Sequence, residues 1–211
     1  MTDYRYPETR LVIFTKAPLA GYCKTRLIPQ LGEQGAAQLQ QQLIENCLER
    51  LCKPMLCPTE LWCSPDTTHP DLQKLAKLYQ LHLYQQQGDD LGQKMYHAMA
   101  YCAASYTFII GCDCPEISSA YIEAGIEQLR SGQDAVIGPA EDGGYVLLGV
   151  QQVNKALFEG IRWGTAQVFA QTTQKMTAAG MRWSALATQW DLDDGRDLIR
   201  YQRLRSAQMG G

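Results

Sequence analysis

The sequence predicts an α/β fold, a mostly parallel central sheet with helices on both faces, and three observations carry that prediction. Short apolar runs alternate at least four times with segments of helical periodicity, the pattern of a sheet covered on both sides. Several of the runs, "RLVIFTK" and "YTFIIGC" above all, are continuous rather than alternating, as strands buried on both faces are. The chain has 211 residues, of which 45% are hydrophobic and 19% charged, enough for one ordered domain spanning 1–211 and too apolar for disorder.

The elements follow in order. "RLVIFTK" (10–16) is a buried strand, followed by a loop with two prolines and a glycine, "APLAGYCKTRLIP". Residues 33–51 place Ala37, Leu43, Ile44, Cys47, Leu48 and Leu51 at helical spacing. "TELWCS" (59–64) is a short strand, 70–79 a helix with Leu72, Leu75, Ala76 and Tyr79 on one face, and 81–86 a strand. A helix over 90–105 starts with Asp90 as its N-cap, before the strongly apolar strand 106–112. Residues 118–132 form a helix capped by Ser118 or Ser119 and stopped near Gly132. Strands 134–140 and 144–150 come next, then a helix near 165–180, a strand-like stretch over 181–193 and a last helix from Asp194.

Composition excludes several function classes. The formal charge of −3 and pI near 5.6 leave no strong nucleic-acid footprint. "MTDYRYPETR" is not a signal peptide, and no apolar run approaches the ~20 residues of a membrane span, so the expected location is the cytoplasm. The eight cysteines (23, 47, 52, 57, 63, 102, 112 and 114) include no C-x-x-C pair and read as reduced thiols rather than disulfides or a zinc site. No Walker A loop, GxGxxG, GxSxG or HExxH is present.

Polar residues just beyond the apolar strands are the ones to inspect, because open sheets bind ligands there. Lys16, Lys24, Thr25 and Arg26 surround one loop, and the three cations read either as partners for a phosphate chain or as ordinary solvated charges. Asp89 and Asp90 stand at a strand-to-helix junction, as ligand groups or, for Asp90, as a cap alone. In "FIIGCDCPEIS", strand alternation turns Cys112 and Cys114 to one side and Asp113 to the other. That leaves Asp113 as a hard carboxylate suited to Mg²⁺ or Mn²⁺, or else as a turn acid. Asp142-Gly143-Gly144 makes a tight turn, either a plain hairpin or a place where a ligand meets the backbone with Asp142 aimed at it. Asp191 and Asp193, two residues apart, offer a second metal carboxylate or a capping cluster.

Taken in order, "KAPLAGYCKTRL", "GDDLGQKM", "GCDCPEI", "GPAEDGGYVLLG", "WGT" and "DLDDGRDL" span nearly the whole chain and resemble the DUF2064 family, glycosyltransferase-like and related to the 2-phospholactate guanylyltransferase group. The resemblance implies a three-layer α/β/α GT-A-like fold, that of the nucleotide-diphospho-sugar transferases. It implies Asp113 as the metal acid, with Asp193 or Asp191 as the later one. Lys16, Lys24 and Arg26 match its donor-phosphate loop, and Gly143, Gly144 and Tyr145, with Trp163 and Thr165, its substrate side. The expected activity is divalent-metal-dependent transfer from a nucleotide donor. Nucleotidyl transfer from a nucleoside triphosphate to a small phosphorylated acceptor leads, with Lys16, Lys24 and Arg26 stabilising the growing charge; Lys24, Arg26 and Asp142 are the candidate catalytic groups, Asp142 as a base if the transfer is glycosyl. Glycosyl transfer from a nucleoside-diphosphate sugar and plain nucleotide binding without turnover are the alternatives.

Overall fold

The computed structural model describes residues 4–101 and 103–209, the last two by backbone only. Its strands are β1 (Thr9–Lys16), β2 (Thr59–Ser64), β3 (His82–Gln85), β4 (Tyr106–Gly111), β5 (Ala135–Pro139), β6 (Tyr145–Val150) and β7 (Trp183–Ala185). The helices are α1 (Ile28–Cys52), α2 (Pro70–Tyr79), α3 (Leu91–Ala100), α4 (Ser119–Arg130), α5 (Val168–Ala178) and α6 (Gly195–Met209). The strands make one seven-stranded sheet in the order β3-β2-β1-β4-β6-β5-β7. Only β6 runs against its neighbours β4 and β5; the other pairings are parallel.

The continuous apolar runs explain the three layers. Along β1, Leu11 and Ile13 face one way, against Ile44, Leu48 and Leu51 of α1, Leu72 of α2 and Ile122 of α4. Val12 and Phe14 face the other way, with Met95 and Met99 of α3 and Met176 of α5. Both faces are therefore dry, which is why no polar alternation shows in these strands. A third cluster joins Leu39 and Leu43 of α1 to Trp190, Leu192, Leu198 and Tyr201. It carries the segment before α6 back over the sheet, more than 160 residues from β1.

Element boundaries differ from expectation in four places. Helix α1 begins five residues early, but Gly32 (φ +69°) breaks it, so the glycine separates a short entry turn from the main helix. Helix α3 ends at Ala100 rather than 105, with Tyr101 set edge-on to Trp62 and tilted against Tyr84. Strand β4 stops at Gly111, which places Cys112 and Asp113 beyond the sheet. The stretch 181–193 holds only the three residues of β7 and one bridge, Gln189 to Ala140, because it then turns to present its acids. Seven cysteines are free thiols, and Cys102 lies outside the described residues. Among the described residues no helix is long and apolar enough to cross a membrane.

Candidate active site

From β1 the chain continues to β2 and β3 on one side, while β4 starts the other half of the sheet. The crevice where the order reverses, past the ends of β1 and β4, is the expected ligand position in such a sheet. A cleft of about 560 Å³ opens there, within the size range of small-molecule sites.

The loop after β1 builds one wall. Cys23 is fully buried and its thiol donates to the Leu19 carbonyl at 3.4 Å, pinning the loop. Lys24 follows in the left-handed region (φ 46°, ψ 40°), which a non-glycine residue adopts at a cost of about 1 kcal/mol or more. The turn sends its side chain back under the loop, where it is 4% exposed. Its Nζ lies 3.0 Å from Asp113 Oδ1 and 3.6 Å from Asp193 Oδ1, and donates to the Leu192 carbonyl at 2.7 Å. Burial pulls the Lys24 pKa down, but the charge of Asp113, then that of Asp193, outweighs it and the net shift is upward.

Asp113 and Asp193 are brought together by backbone as well as charge. The Leu192 amide donates to the Asp113 carbonyl at 3.0 Å, stitching the segment before α6 to the end of β4. Asp197 receives the amides of Asp193 and Asp194 at 3.0 and 2.8 Å, holding that turn rigid. Asp191, half-buried, is raised to about 6, first by burial and then by the charges of Asp142, Asp193 and Asp113. Four carboxylates thus converge on one end of the cleft. Arg26 meets Asp193 at 3.1 Å from the solvent side, and Lys16 stands at the mouth with its ammonium 5.8 Å from the Tyr22 ring centre.

The cleft is lined by Lys16, Lys24, Thr25, Arg26, Asp113, Asp142, Gly144, Tyr145, Trp163, Thr165, Asp191 and Asp193, all expected from the sequence. Three expected residues stand elsewhere. Asp90 caps α3, its Oδ1 accepting from the Gln93 amide at 2.8 Å, and Asp89 flanks that cap. Neither lines the cleft. Gly143 (φ +89°) also lies behind it, where a Cβ would come within 2.3 Å of the Ala166 carbonyl oxygen. The glycine admits the neighbouring loop. Asp142 Oδ1 accepts the Gly144 amide at 2.8 Å, so the acid also fastens its own turn.

The two cysteines beside Asp113 pack in one core cluster while the acid stays 40% exposed, the split that alternation predicts, although the strand itself has ended. Both are buried, yet both border the cleft. Cys112 Sγ lies 3.2 Å from Thr15 Oγ1 and donates to Asp113 Oδ1 at 3.6 Å. Burial pushes its thiol far up, so it stays protonated. Lys24, in turn, spends its ammonium protons on oxygens of the chain itself.

Sequence reasoning missed Gln40. It is 3% exposed, and its Nε2 donates to Thr15 Oγ1 at 3.1 Å and lies 3.4 Å from Cys112 Sγ, bracing the ends of β1 and β4. The signal was present: Gln40 falls on the apolar stripe of α1, three and four residues before Leu43 and Ile44. Gln86, whose Nε2 donates to the Thr15 and Trp62 carbonyls at 3.1 and 2.9 Å, was missed as well.

No group of three or more His, Cys, Asp or Glu side chains arranged to hold a metal occurs among the described residues. That excludes an all-protein cage of described side chains. Mg²⁺ takes one or two protein carboxylates and completes its shell with water and phosphate oxygens. Asp113 and Asp193 are two such carboxylates.

This architecture is that of the nucleotide-diphospho-sugar transferases. A protein of Desulfovibrio desulfuricans G20, provisionally assigned as a nucleotide-diphospho-sugar transferase, is 31% identical, with 91% of this chain and 85% of that one covered at a TM-score of 0.83. The inositol-1-phosphate CTP transferase of T. maritima matches at 11% identity over 92% and 93% of the two chains, TM-score 0.58. Glucosyl-3-phosphoglycerate synthase of Mycobacterium tuberculosis, solved with Mn²⁺, UDP and glucosyl-3-phosphoglycerate, matches at 8% identity over 87% and 70%, TM-score 0.56. These last two share the fold. Residues 47–165 match the family described as "Uncharacterized protein conserved in bacteria (DUF2064)", and the chain belongs to it. No curated protein matches.

Proposed function

We propose that the cleft transfers a nucleotidyl group from a nucleoside triphosphate to a small phosphorylated acceptor, and that residues 1–211 act as one catalytic domain in the cytoplasm. The observation that carries this reading is the charge arrangement at the β1/β4 crevice. Asp113 and Asp193 are held together by a sealed lysine, with Lys16 and Arg26 at the mouth. A triphosphate brings the most negative charge of the candidate donors and makes fullest use of such a mouth.

Asp113 and Asp193 would hold Mg²⁺ or Mn²⁺, which neutralises phosphate oxygens when bound. Lys16 and Arg26 grip the outer phosphates, the guanidinium by its two-pronged fork. Lys24 fixes the spacing of the two acids. An oxygen of the acceptor phosphate attacks the α-phosphorus, the new P–O bond forms in line, and the bond to the β-phosphate breaks to release pyrophosphate. A phosphate nucleophile is already ionised at neutral pH, so no catalytic base is required. Asp142 keeps the substrate-side turn closed. Positioned charge carries the rate, and losing one such group costs on the order of 3 kcal/mol.

A second reading, glycosyl transfer from a nucleoside-diphosphate sugar, draws on the assignment of the 31% identical Desulfovibrio protein. The deciding experiment supplies each nucleoside triphosphate and each nucleoside-diphosphate sugar with Mg²⁺ or Mn²⁺ and a panel of phosphorylated and unphosphorylated acceptors. Pyrophosphate release supports nucleotidyl transfer, and nucleoside-diphosphate release moves the assignment to glycosyl transfer. Metal-dependent nucleotide binding with neither product identifies a non-catalytic binder.

A further inference from the structure

The cleft has a second end, where the charges stop. Leu91, the first residue of α3, lines it while 44% exposed. Met95, one turn further on, lies beneath, with the Tyr145 hydroxyl turned onto its sulfur at 3.9 Å. Trp163 stands edge-on to Tyr145 with ring centres 6.4 Å apart, and Val168 completes the wall. None of these five side chains carries a charge at neutral pH.

The walls are fixed with respect to each other. Gly92 follows Leu91, and a Cβ there would lie 2.7 Å from Trp163 Nε1 and 2.6 Å from the Phe158 carbonyl oxygen. Helix α3 is thus pressed directly onto the indole, and Leu91 and Trp163 face the same space without room to collapse into it. An exposed leucine beside a braced indole at the end of a charged cleft is costly in water unless something covers it.

We propose that this end is the acceptor lobe and that it takes an apolar body about the size of a ring, so that the acceptor is a phosphate monoester of an apolar or aromatic alcohol. The proposal rests on the nucleotidyl-transfer reading. A nucleobase suits the lobe poorly, because its edge donors and acceptors would meet apolar side chains at a cost of about 1–3 kcal/mol each. The opposite flank carries polar side chains instead, Thr15, Gln40 and Gln86. A polyol phosphate would likewise bury hydroxyls without partners in the lobe.

The test compares benzyl phosphate with glycerol 3-phosphate, two monoesters that differ in the body they carry. With the active nucleoside triphosphate, kcat/KM for pyrophosphate release is expected to favour benzyl phosphate by about tenfold or more. In Leu91→Gln that ratio falls toward one through a raised KM for benzyl phosphate, and Leu91→Met restores it. Equal or better use of glycerol 3-phosphate, or a ratio unmoved by Leu91→Gln, overturns the proposal while leaving nucleotidyl transfer standing. Saturation-transfer NMR on benzyl phosphate needs no turnover. Ring-proton saturation that is lost in Leu91→Gln supports the lobe even if no triphosphate yields pyrophosphate, in which case the nucleotidyl reading alone fails. Absence of ring-proton saturation with the wild-type protein overturns the lobe.

Discussion

The ammonium of Lys24 and the carboxylate of Asp113 stand 3.0 Å apart, the lysine side chain 4% exposed and the acid 40% exposed. The pair is lopsided: its cation is sealed and its anion is half open. Asp113 therefore keeps an accessible side for a ligand, while Lys24 holds its other side in place.

Removing the sealed cation tests that tie. Lys24→Met leaves Asp113 and Asp193 with a lost counter-ion, and the expected loss of stability is about 1–3 kcal/mol. That is below the ~3–5 kcal/mol for a fully buried pair, because both acids reach water. Lys24→Arg is not expected to restore it, since a planar fork cannot place one nitrogen among three oxygens as an ammonium does. Urea unfolding measures both, and wild-type stability in Lys24→Met would show that the contact is incidental.

The acids make a separate prediction about ligand. Asp113→Asn and Asp193→Asn are each expected to weaken calorimetric binding of the Mg²⁺ complex of a non-hydrolysable triphosphate by about tenfold or more, equivalent to ~1.4 kcal/mol. EDTA abolishes the remaining binding. Asp90→Asn serves as the control, because asparagine caps a helix as well as aspartate does. Undiminished binding in Asp113→Asn refutes its assignment to the metal.

The hairpin glycines separate two explanations of one motif. Gly143→Ala forces φ +89° on alanine and a 2.3 Å approach to the Ala166 carbonyl oxygen, and is expected to cost about 2–3 kcal/mol. Gly144→Ala meets only the Asp142 carboxylate at 3.1 Å, a side chain that can shift, and is expected to cost under about 1 kcal/mol. Thermal unfolding with and without nucleotide reads both. If Gly143→Ala keeps its stability and loses only ligand affinity, the glycine serves the ligand after all.

Stability is expected to fall in alkali. Burial holds the thiols of Cys57 and Cys63 up to about 12, whereas an unfolded thiol ionises near 8.5. The folded state thus keeps protons that the unfolded chain releases, and stability declines with rising pH from about 8.5 toward 12. The slope is about 1.4 kcal/mol per pH unit for each fully buried thiol. In reductant, the urea midpoint should drop steadily between pH 9 and 11, and iodoacetamide at pH 8 should leave both residues unmodified. A flat midpoint across that range contradicts the burial.

The strands were legible because Leu11 to Phe14 and Phe108 to Ile110 are dry on both faces, and dryness shows as continuous apolar sequence. Candidate acids were legible by their place after such strands. Their partnership was not, since Asp193 reaches Asp113 through the packing of Trp190, Leu192 and Leu198 on α1 and the backbone bond beside it, contacts between distant segments with no local signature. Strand β4 ends at Gly111 opposite Phe14, short of the end of β1, a boundary with no local signature, so the apolar run carried the expected strand on to Cys112. Asp89 and Asp90 misled because capping and ligand binding draw on the same residue types at the same position. Gln40 was readable as a polar break in an apolar stripe.

The stitch from Leu192 to Asp113 also sets an order of assembly. During synthesis, β1 through β6 can form their sheet while Lys24 has Asp113 but not Asp193 or the Leu192 carbonyl. The crevice gains Asp191 and Asp193 only when residues 190–193 emerge and fold back over the sheet. A ligand that needs Asp193 therefore cannot template the early stages of folding. It can only secure the last step, so a ligand added during refolding should leave the collapse of the sheet unaltered and hasten the final docking of the chain before α6.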